Sequence, residues 1–353
     1  MPDLITRRPQ GLYCEAGDFY IDPWRPVERA VITHAHADHS RPGHASYLAH
    51  ADALGLMRAR LGAATRLQGL AYGEPLRLGE VSVSLHPAGH VLGSAQVRVA
   101  HRGETWVVSG DYFVSGAGDQ NSTCAPFEPV RCDTFITECT FGLPIYRWPP
   151  QTEVIADIRR WWIDCAAKQR VALLMGYSLG KAQRLLAGLG VDAPGPVLVH
   201  NAVARLNEAY REAGVALPAA EMVTADTPWK TLRNALVIAP PAVQGSAWAR
   251  KLGEHEDAFA SGWMRLRGAR RRQGVDRGFV FSDHADWPGL LSAIQATGAG
   301  RVIVTHGNED ALIRHLQEQG LQAESFVTEY HDADSDSDSD TLPDAAPDSA
   351  PTA

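Results

Sequence analysis

Three histidines and an aspartate fall within six residues at His34-Ala35-His36-Ala37-Asp38-His39. Imidazole nitrogens and a carboxylate oxygen suit a zinc-like or manganese-like ion. The i, i+2 spacing puts His34 and His36 on one side of an extended segment. A helix starting just after them would aim Asp38 and His39 elsewhere, so one short loop can serve two neighbouring ions. The small Ala35 and Ala37 leave room for close approach. The bland alternative is a solvated histidine-rich loop. It sits poorly with the density of the pattern and with Val31-Ile32, which read as the end of a buried strand. Three more candidates stand at predicted strand ends: His90 in Ala88-Gly89-His90-Val91, Asp111 in Ser109-Gly110-Asp111, and His306 in Thr305-His306-Gly307. Each alone is an ordinary loop residue; with the first cluster they complete two coordination shells.

The elements that must position these residues are legible in outline. Val81, Val83 and Leu85 alternate with Ser, and Ala95, Val97 and Val99 alternate with polar residues, which is strand spacing. Thr105–Ser109 and Thr134–Thr137 are short β-rich runs, and one helix is expected over Ala49–Leu61. From Glu153 the rhythm changes. A helix over Glu153–Lys168 precedes alternating strands and helices at 171–175, 181–189, 197–200, 202–213 and 235–239. That pattern predicts βα units and a largely parallel sheet. An arginine-rich linker leads to strand 278–281, helix 288–297, strand 301–305 and helix 310–319. No fixed-period repeat and no glycine fingerprint for a dinucleotide or P-loop is present.

Composition narrows the class. A chain of 353 residues with 45% hydrophobic content can bury a real core. No apolar run is long enough for a transmembrane helix, and Met1–Gln10 lacks the apolar core of a secretory signal. Five cysteines without CxxC spacing fit reduced thiols in a cytoplasmic protein and argue against thiolate zinc binding. The net charge is −8, but residues 331–353 carry seven Asp and no Lys or Arg, leaving the rest of the chain near −1. An acidic total is therefore no argument against a nucleic-acid partner. The Asp/Ser tail has almost nothing to bury and is expected to be disordered, either an interaction segment or a solubilising one.

Taken in order, HxHxDH, Gly89-His90, Ser109-Gly110-Asp111 and Thr305-His306-Gly307 resemble the metallo-β-lactamase fold. Three stretches resemble the β-CASP nucleases within it. Glu138 in Thr137-Glu138-Cys139-Thr140-Phe141-Gly142 is similar to their acidic first motif. Phe281-Ser282-Asp283-His284-Ala285-Asp286 is similar to the second, and His306 to the third. Tyr177-Ser178-Leu179-Gly180-Lys181-Ala182-Gln183-Arg184 resembles the opening turn of the β-CASP insertion. The resemblance covers nearly all of residues 10–330, and the short insertion with its arginine run looks most like bacterial ligase-associated DNA exonucleases. It implies an α/β (α+β) fold, an αββα sandwich with an inserted α/β domain. The expected boundaries are 1–142 and 281–330 for the sandwich, 143–280 for the insertion, and 331–353 for the acidic tail.

Carried over residue by residue, the resemblance gives His34, His36 and His90 to a first ion. Asp38, His39 and His306 go to a second, with Asp111 bridging. The ions would be two Zn2+ or Mn2+. Asp22 would orient a ligand; the alternative is a turn Asp before Pro23. The expected reaction is phosphodiester hydrolysis by a water activated between the ions, and the resemblance implies a DNA exonuclease in DNA repair. Asp38, Glu138 and His284 are the catalytic candidates, with His284 as general acid and Glu138 raising its pKa. Residues 265–277 hold six arginines, so Arg270, Arg271 and Arg272 are candidates for phosphate contacts. Trp263 could stack on a base. Ser178 and Lys181, at a predicted helix start, could cradle a phosphate. DNA is favoured and RNA remains open, because nothing in the sequence senses a 2′-hydroxyl. A DNA ligase and a helicase are partners implied by the resemblance, and no membrane is. Ribonuclease or mRNA 3′-end processing activity is the nearest alternative. A small-molecule hydrolase on the same fold and an inactive nucleic-acid-binding subunit are the others.

Overall fold

The computed structural model describes residues 3–116 and 123–330. The acidic tail, 331–353, lies outside the described residues. The chain opens with six short strands in sequential order, β1 (Thr6–Arg8), β2 (Gly11–Cys14), β3 (Phe19–Ile21), β4 (Arg29–Val31), β5 (Ser46–His50) and β6 (Leu67–Leu70). Helix α1 (Leu54–Leu61) follows β5. The helix expected from Ala49 therefore starts five residues later, and the apolar run Tyr47–Ala49 belongs to a buried strand. A short apolar run has no period of its own to separate the two readings.

A second sheet starts with β7 (Leu76–Leu78), β8 (Val81–Pro87), β9 (Ala95–His101) and β10 (Glu104–Val108), all antiparallel neighbours, and adds β11 (Thr134–Cys139) in parallel. The chain then leaves this sheet. Helix α2 (Gln151–Ala167), β12 (Val171–Met175), α3 (Lys181–Leu189), β13 (Val197–Val199), α4 (Asn201–Glu212), β14 (Glu221–Met222), α5 (Trp229–Leu232), β15 (Leu236–Ala239), α6 (Ala247–Lys251), β16 (His255–Ala260), α7 (Arg267–Gln273) and β17 (Arg277–Phe279) build a third sheet. Its order is β14-β13-β15-β12-β16-β17 and every pair is parallel. Helix α8 (Trp287–Thr297), β18 (Arg301–Gly307), α9 (Glu309–Glu318) and β19 (Gln322–Ser325) bring the chain back, with β18 beside β11.

The cores explain the layering. The inner faces of the first two sheets bury Phe19, Ile21, Val31 and Leu48 against Val83, Val97, Trp106 and Ile303. The outer face of the first sheet packs Ile32 and Tyr47 on Leu56, Leu206 and Tyr210 of α1 and α4. The outer face of the second packs Phe135 and Val302 on Leu290, Ile294, Leu312 and Leu316 of α8 and α9. Helix, sheet, sheet and helix thus form four layers. The third sheet has its own cores, with Leu174, Leu185 and Trp162 on one face and Leu173, Val237 and Phe259 on the other. The arginine-rich segment read as a linker is the helix α7, which has no buried residue. No helix among the described residues is long and apolar enough to cross a membrane.

Candidate metal centre

The site lies where β4, β8, β10, β11 and β18 end. After β4 the chain makes a single turn, closed by Ser40 N–H donating to the His36 carbonyl at 2.8 Å. Gly110 has φ +56 and lies so close to Thr33 that an added Cβ would sit 2.5 Å from the threonine side chain. Only glycine brings the Asp111 loop that near to the histidine loop. His306 is held at φ +62 and Asp22 at φ +42. Such backbone is costly for residues with a Cβ and is retained where surroundings enforce it.

The outer ring nitrogens fix which nitrogen of each histidine faces inward. His34 Nδ1–H donates to Thr33 Oγ1 at 3.0 Å, and that hydroxyl donates to Asp22 Oδ2 at 2.5 Å. His39 Nδ1–H donates to the same Asp22 oxygen at 2.8 Å. His90 Nδ1–H donates to the Asp283 carbonyl at 2.9 Å, and His36 Nε2–H to the Leu179 carbonyl at 3.2 Å. What remains inward is His34 Nε2, His36 Nδ1 and His90 Nε2. The first and third each lie 3.1 Å from His36 Nδ1. Asp111 Oδ2 is 3.4 Å from His34 Nε2 and 3.8 Å from His90 Nε2. These three imidazole nitrogens and the Asp111 carboxylate oxygen, all buried and within 4.8 Å of one another, form a donor set that could hold a metal ion.

A second corner adjoins the first through Asp111. Its Oδ1 lies 3.5 Å from His39 Nε2, which is 3.5 Å from Asp38 Oδ2. Asp38 Oδ2 and His39 Nε2 are buried without a hydrogen-bond partner. Burial works against a charged His39, yet Asp111, Asp38 and Asp22 outweigh it and push its pKa up to about 10. Burial and the charge of His39, His36, His90 and His284 hold His34 well below the usual value, and burial with His284 does the same for His90. Burial raises the Asp111 carboxyl. The electronegative corner is therefore the one at Asp38, His39 and Asp111. His306 acts on both of those carboxylates electrostatically.

Glu138 and His284 stand at the edge. His284 Nδ1 is 3.1 Å from both Glu138 oxygens. Glu138 is fixed by Tyr112 N–H at 2.8 Å and Thr140 Oγ1 at 2.5 Å. Burial opposes charge on His284, but Glu138, Asp111 and Asp283 hold its pKa well above the ordinary 6.5. A candidate ion-binding group of Asp111, Glu138 and His284 shares Asp111 with the first cluster, and one of His90, Asp283 and His284 shares His90.

The other sequence candidates fall differently. Ser178 and Lys181, expected at a phosphate, are buried to 2% and 1% exposure, and the Lys181 ammonium lies 3.3 Å from Asp283. Arg271 and Arg272 are exposed on α7 and Arg270 Nε donates to the Met264 carbonyl. The path from α7 to the site runs through rings, Trp263 to Phe141 at 4.9 Å and Phe141 to His284 at 6.0 Å. A cleft of about 450 Å³ includes Arg270 and Arg277 but also Glu153, Asp157 and Asp276, and shares no residue with the centre. Sequence reasoning missed Tyr330, whose ring stacks on His39 at 4.6 Å and 12° and meets Trp24 edge-on. Nothing in residue spacing points to it. Glu329 beside it accepts from Arg25 at 2.8 Å, and its carbonyl accepts from Arg41.

No family model matches the chain. It is similar to a protein named probable DNA ligase from Opitutus terrae, 34% identical over 316 residues, which cover 89% of this chain and 30% of that protein. It is also similar to ribonuclease TTHA0252 from Thermus thermophilus, 29% identical over 195 residues (48% and 44% of the two chains). A third relative is endoribonuclease ysh1 from Emericella nidulans, 31% identical over 110 residues (31% and 12%). The chain spans less than half the length of each of these relatives. A crystal structure of a protein of unknown function from Enterococcus faecalis V583 superposes with a TM-score of 0.55 at 13% identity. It covers 86% of this chain and 80% of that one.

Proposed function

We propose that this chain is a metal-dependent nuclease of the metallo-β-lactamase fold and β-CASP family, hydrolysing phosphodiester bonds in nucleic acid, with DNA ends in repair as the favoured substrate. The observation that carries it is the convergence of His34 Nε2, His36 Nδ1 and His90 Nε2 with the Asp111 carboxylate, beside a second buried corner where Asp38 Oδ2 and His39 Nε2 have no hydrogen-bond partner. In this reading His34, His36 and His90 hold one ion, Asp38, His39 and His306 a second, and Asp111 faces both. The donor set of imidazole and carboxylate suits Zn2+ or Mn2+. Such ions, when bound there, would supply an acidified water and would neutralise charge on phosphate oxygens.

The remaining work belongs to the chain. Asp22 fixes the ring of His39 directly and that of His34 through Thr33. Glu138 holds His284 by Nδ1 and keeps it protonated, which leaves Nε2–H to deliver a proton to the leaving oxygen. Exposed arginines on α7 would hold the polyanion nearby. The domain boundaries 143 and 280, cytoplasmic location and association with a DNA ligase or helicase are part of the same reading. The relative named probable DNA ligase, which contains a stretch similar to 89% of this chain, supports the last. The relatives named ribonuclease and endoribonuclease favour RNA as the second reading.

The test is direct. The zinc-loaded or manganese-loaded chain is incubated with end-labelled single-stranded and double-stranded DNA and RNA, and the product ladder is read. Stepwise shortening of DNA supports the primary reading, and internal cuts in RNA support the second. Cleavage of neither, with hydrolysis of a lactam or thioester, would place the chain among small-molecule hydrolases.

A further inference from the structure

The turn after β12 and the first helical turn of α3 were read from sequence as a phosphate cradle, yet they are buried against the metal centre. The Leu179 carbonyl takes the Nε2–H of His36 at 3.2 Å. The Arg184 guanidinium is 3% exposed, and its Nη2 donates to the carbonyls of Gly89 at 2.9 Å and His90 at 3.0 Å. Its carbon lies 4.5 Å from the centroid of the Phe113 ring. Lys181 lies 3.3 Å from Asp283, the residue whose carbonyl takes Nδ1–H of His90. Gly180, at φ +87, would drive an added Cβ to 2.3 Å from Val91, so the turn is seated directly on the His90 loop. The turn holds its own shape: Gln183 accepts from Gly180 N–H at 2.7 Å and donates to the Ser178 carbonyl at 3.0 Å.

We propose that residues 177–184 orient two of the three histidines of the first cluster, with Arg184 as the positioning residue for His90 and the Leu179 carbonyl as the positioning group for His36. The inference rests on the metal-centre reading. Its physical basis is general. An acceptor on the outer ring nitrogen fixes the tautomer and aim of a ligating imidazole, and loss of such a group costs 10–100-fold in metal affinity. Here the acceptors for His34 and His39 come from the first sheet through Asp22, whereas that for His36 comes from the third sheet's layer. The affinity of the first cluster is thus coupled to how the third sheet's layer seats on the other two. A guanidinium suits the task because one of its nitrogens, Nη2, reaches both carbonyls while the planar group lies against the Phe113 ring, a placement an ammonium does not reproduce.

The probe is Zn2+ alone, titrated into the metal-free chain of 353 residues in competition with a chromophoric chelator. Arg184→Gln and Arg184→Lys are compared with Leu186→Ala, a buried change on the same helix that belongs to the third sheet's hydrophobic core. Both Arg184 variants are expected to weaken the tighter Zn2+ equivalent by about 10–100-fold. Leu186→Ala is expected to lower the melting temperature and leave that affinity within about threefold. In the zinc-loaded wild type, long-range 15N NMR is expected to show His36 as the Nε2–H tautomer and His90 as the Nδ1–H tautomer. Wild-type affinity in Arg184→Gln would overturn the proposal, as would an equal loss in Leu186→Ala, which would mark Arg184 as merely structural. A wild type that binds no Zn2+ would instead refute the metal centre itself, and the brace with it.

Discussion

At the scale of the residue, one carboxylate serves two imidazoles and another serves two corners. Asp111 faces His34 and His90 with one oxygen and His39 with the other. Asp111→Ala should therefore reduce bound metal below two equivalents and abolish hydrolysis, as read by elemental analysis and an end-labelled assay. His284 occupies a different place, beside Glu138. His284→Ala should keep metal content near normal and slow hydrolysis by roughly 10²–10⁴-fold. Loss of metal in that variant would make His284 a ligand and remove the general acid from the account. The seven ligand candidates were legible because their types and strand-end placement are written in the chain. Their orienting groups were largely not. Leu179 and Asp283 act through backbone carbonyls, to which side-chain identity is blind, and Tyr330 reaches His39 only through the folded path of the C-terminal segment.

At the scale of the element, α3 was readable to its ends because its apolar positions recur at helical spacing and Gly180 and Gly190 bound it. The three-residue strands β1 and β3 were not, since a run that short carries no period, and β4 was readable only at its end, Val31. Helix α7 was taken for a linker because a helix with no buried face has no apolar stripe to read. That exposure makes its arginines testable. Replacing Arg270, Arg271 and Arg272 together should weaken binding of many sequences alike. The salt slope should flatten by roughly 0.7 per lost contact on a single strand, with metal content unchanged. An unaltered slope would move the binding face elsewhere. The loop after β4 offers a pH test. Burial, with Asp22 pulling the other way, pushes His44 down to about 4, and its Nδ1 accepts from Val27 N–H at 3.3 Å. The unfolded chain takes that proton near 6.5, so between those values the unfolded state binds more protons. Stability should therefore fall as pH drops from about 6.5 towards 4. His44→Gln, which keeps an acceptor, should lose less over that window in denaturant melts; equal losses would show that His44 is not a source of acid sensitivity.

At the scale of the whole molecule, two sheets meet with the centre at their strand ends, and the chain leaves after β11 and returns at β18 with a third sheet between. Packing away from the centre should then affect stability without affecting chemistry. Leu174→Ala, in the core between β12 and the helices α2 and α3, should cost about 2–5 kcal/mol and leave metal stoichiometry intact. The account stands or falls on whether the buried histidines and aspartates hold cations. Elemental analysis of gently purified wild-type protein, followed by the end-labelled cleavage assay before and after a chelator, decides it. The account predicts close to two equivalents of zinc or manganese per chain, with activity lost in chelator and restored by either ion. A metal content near zero with undiminished cleavage in chelator would contradict it.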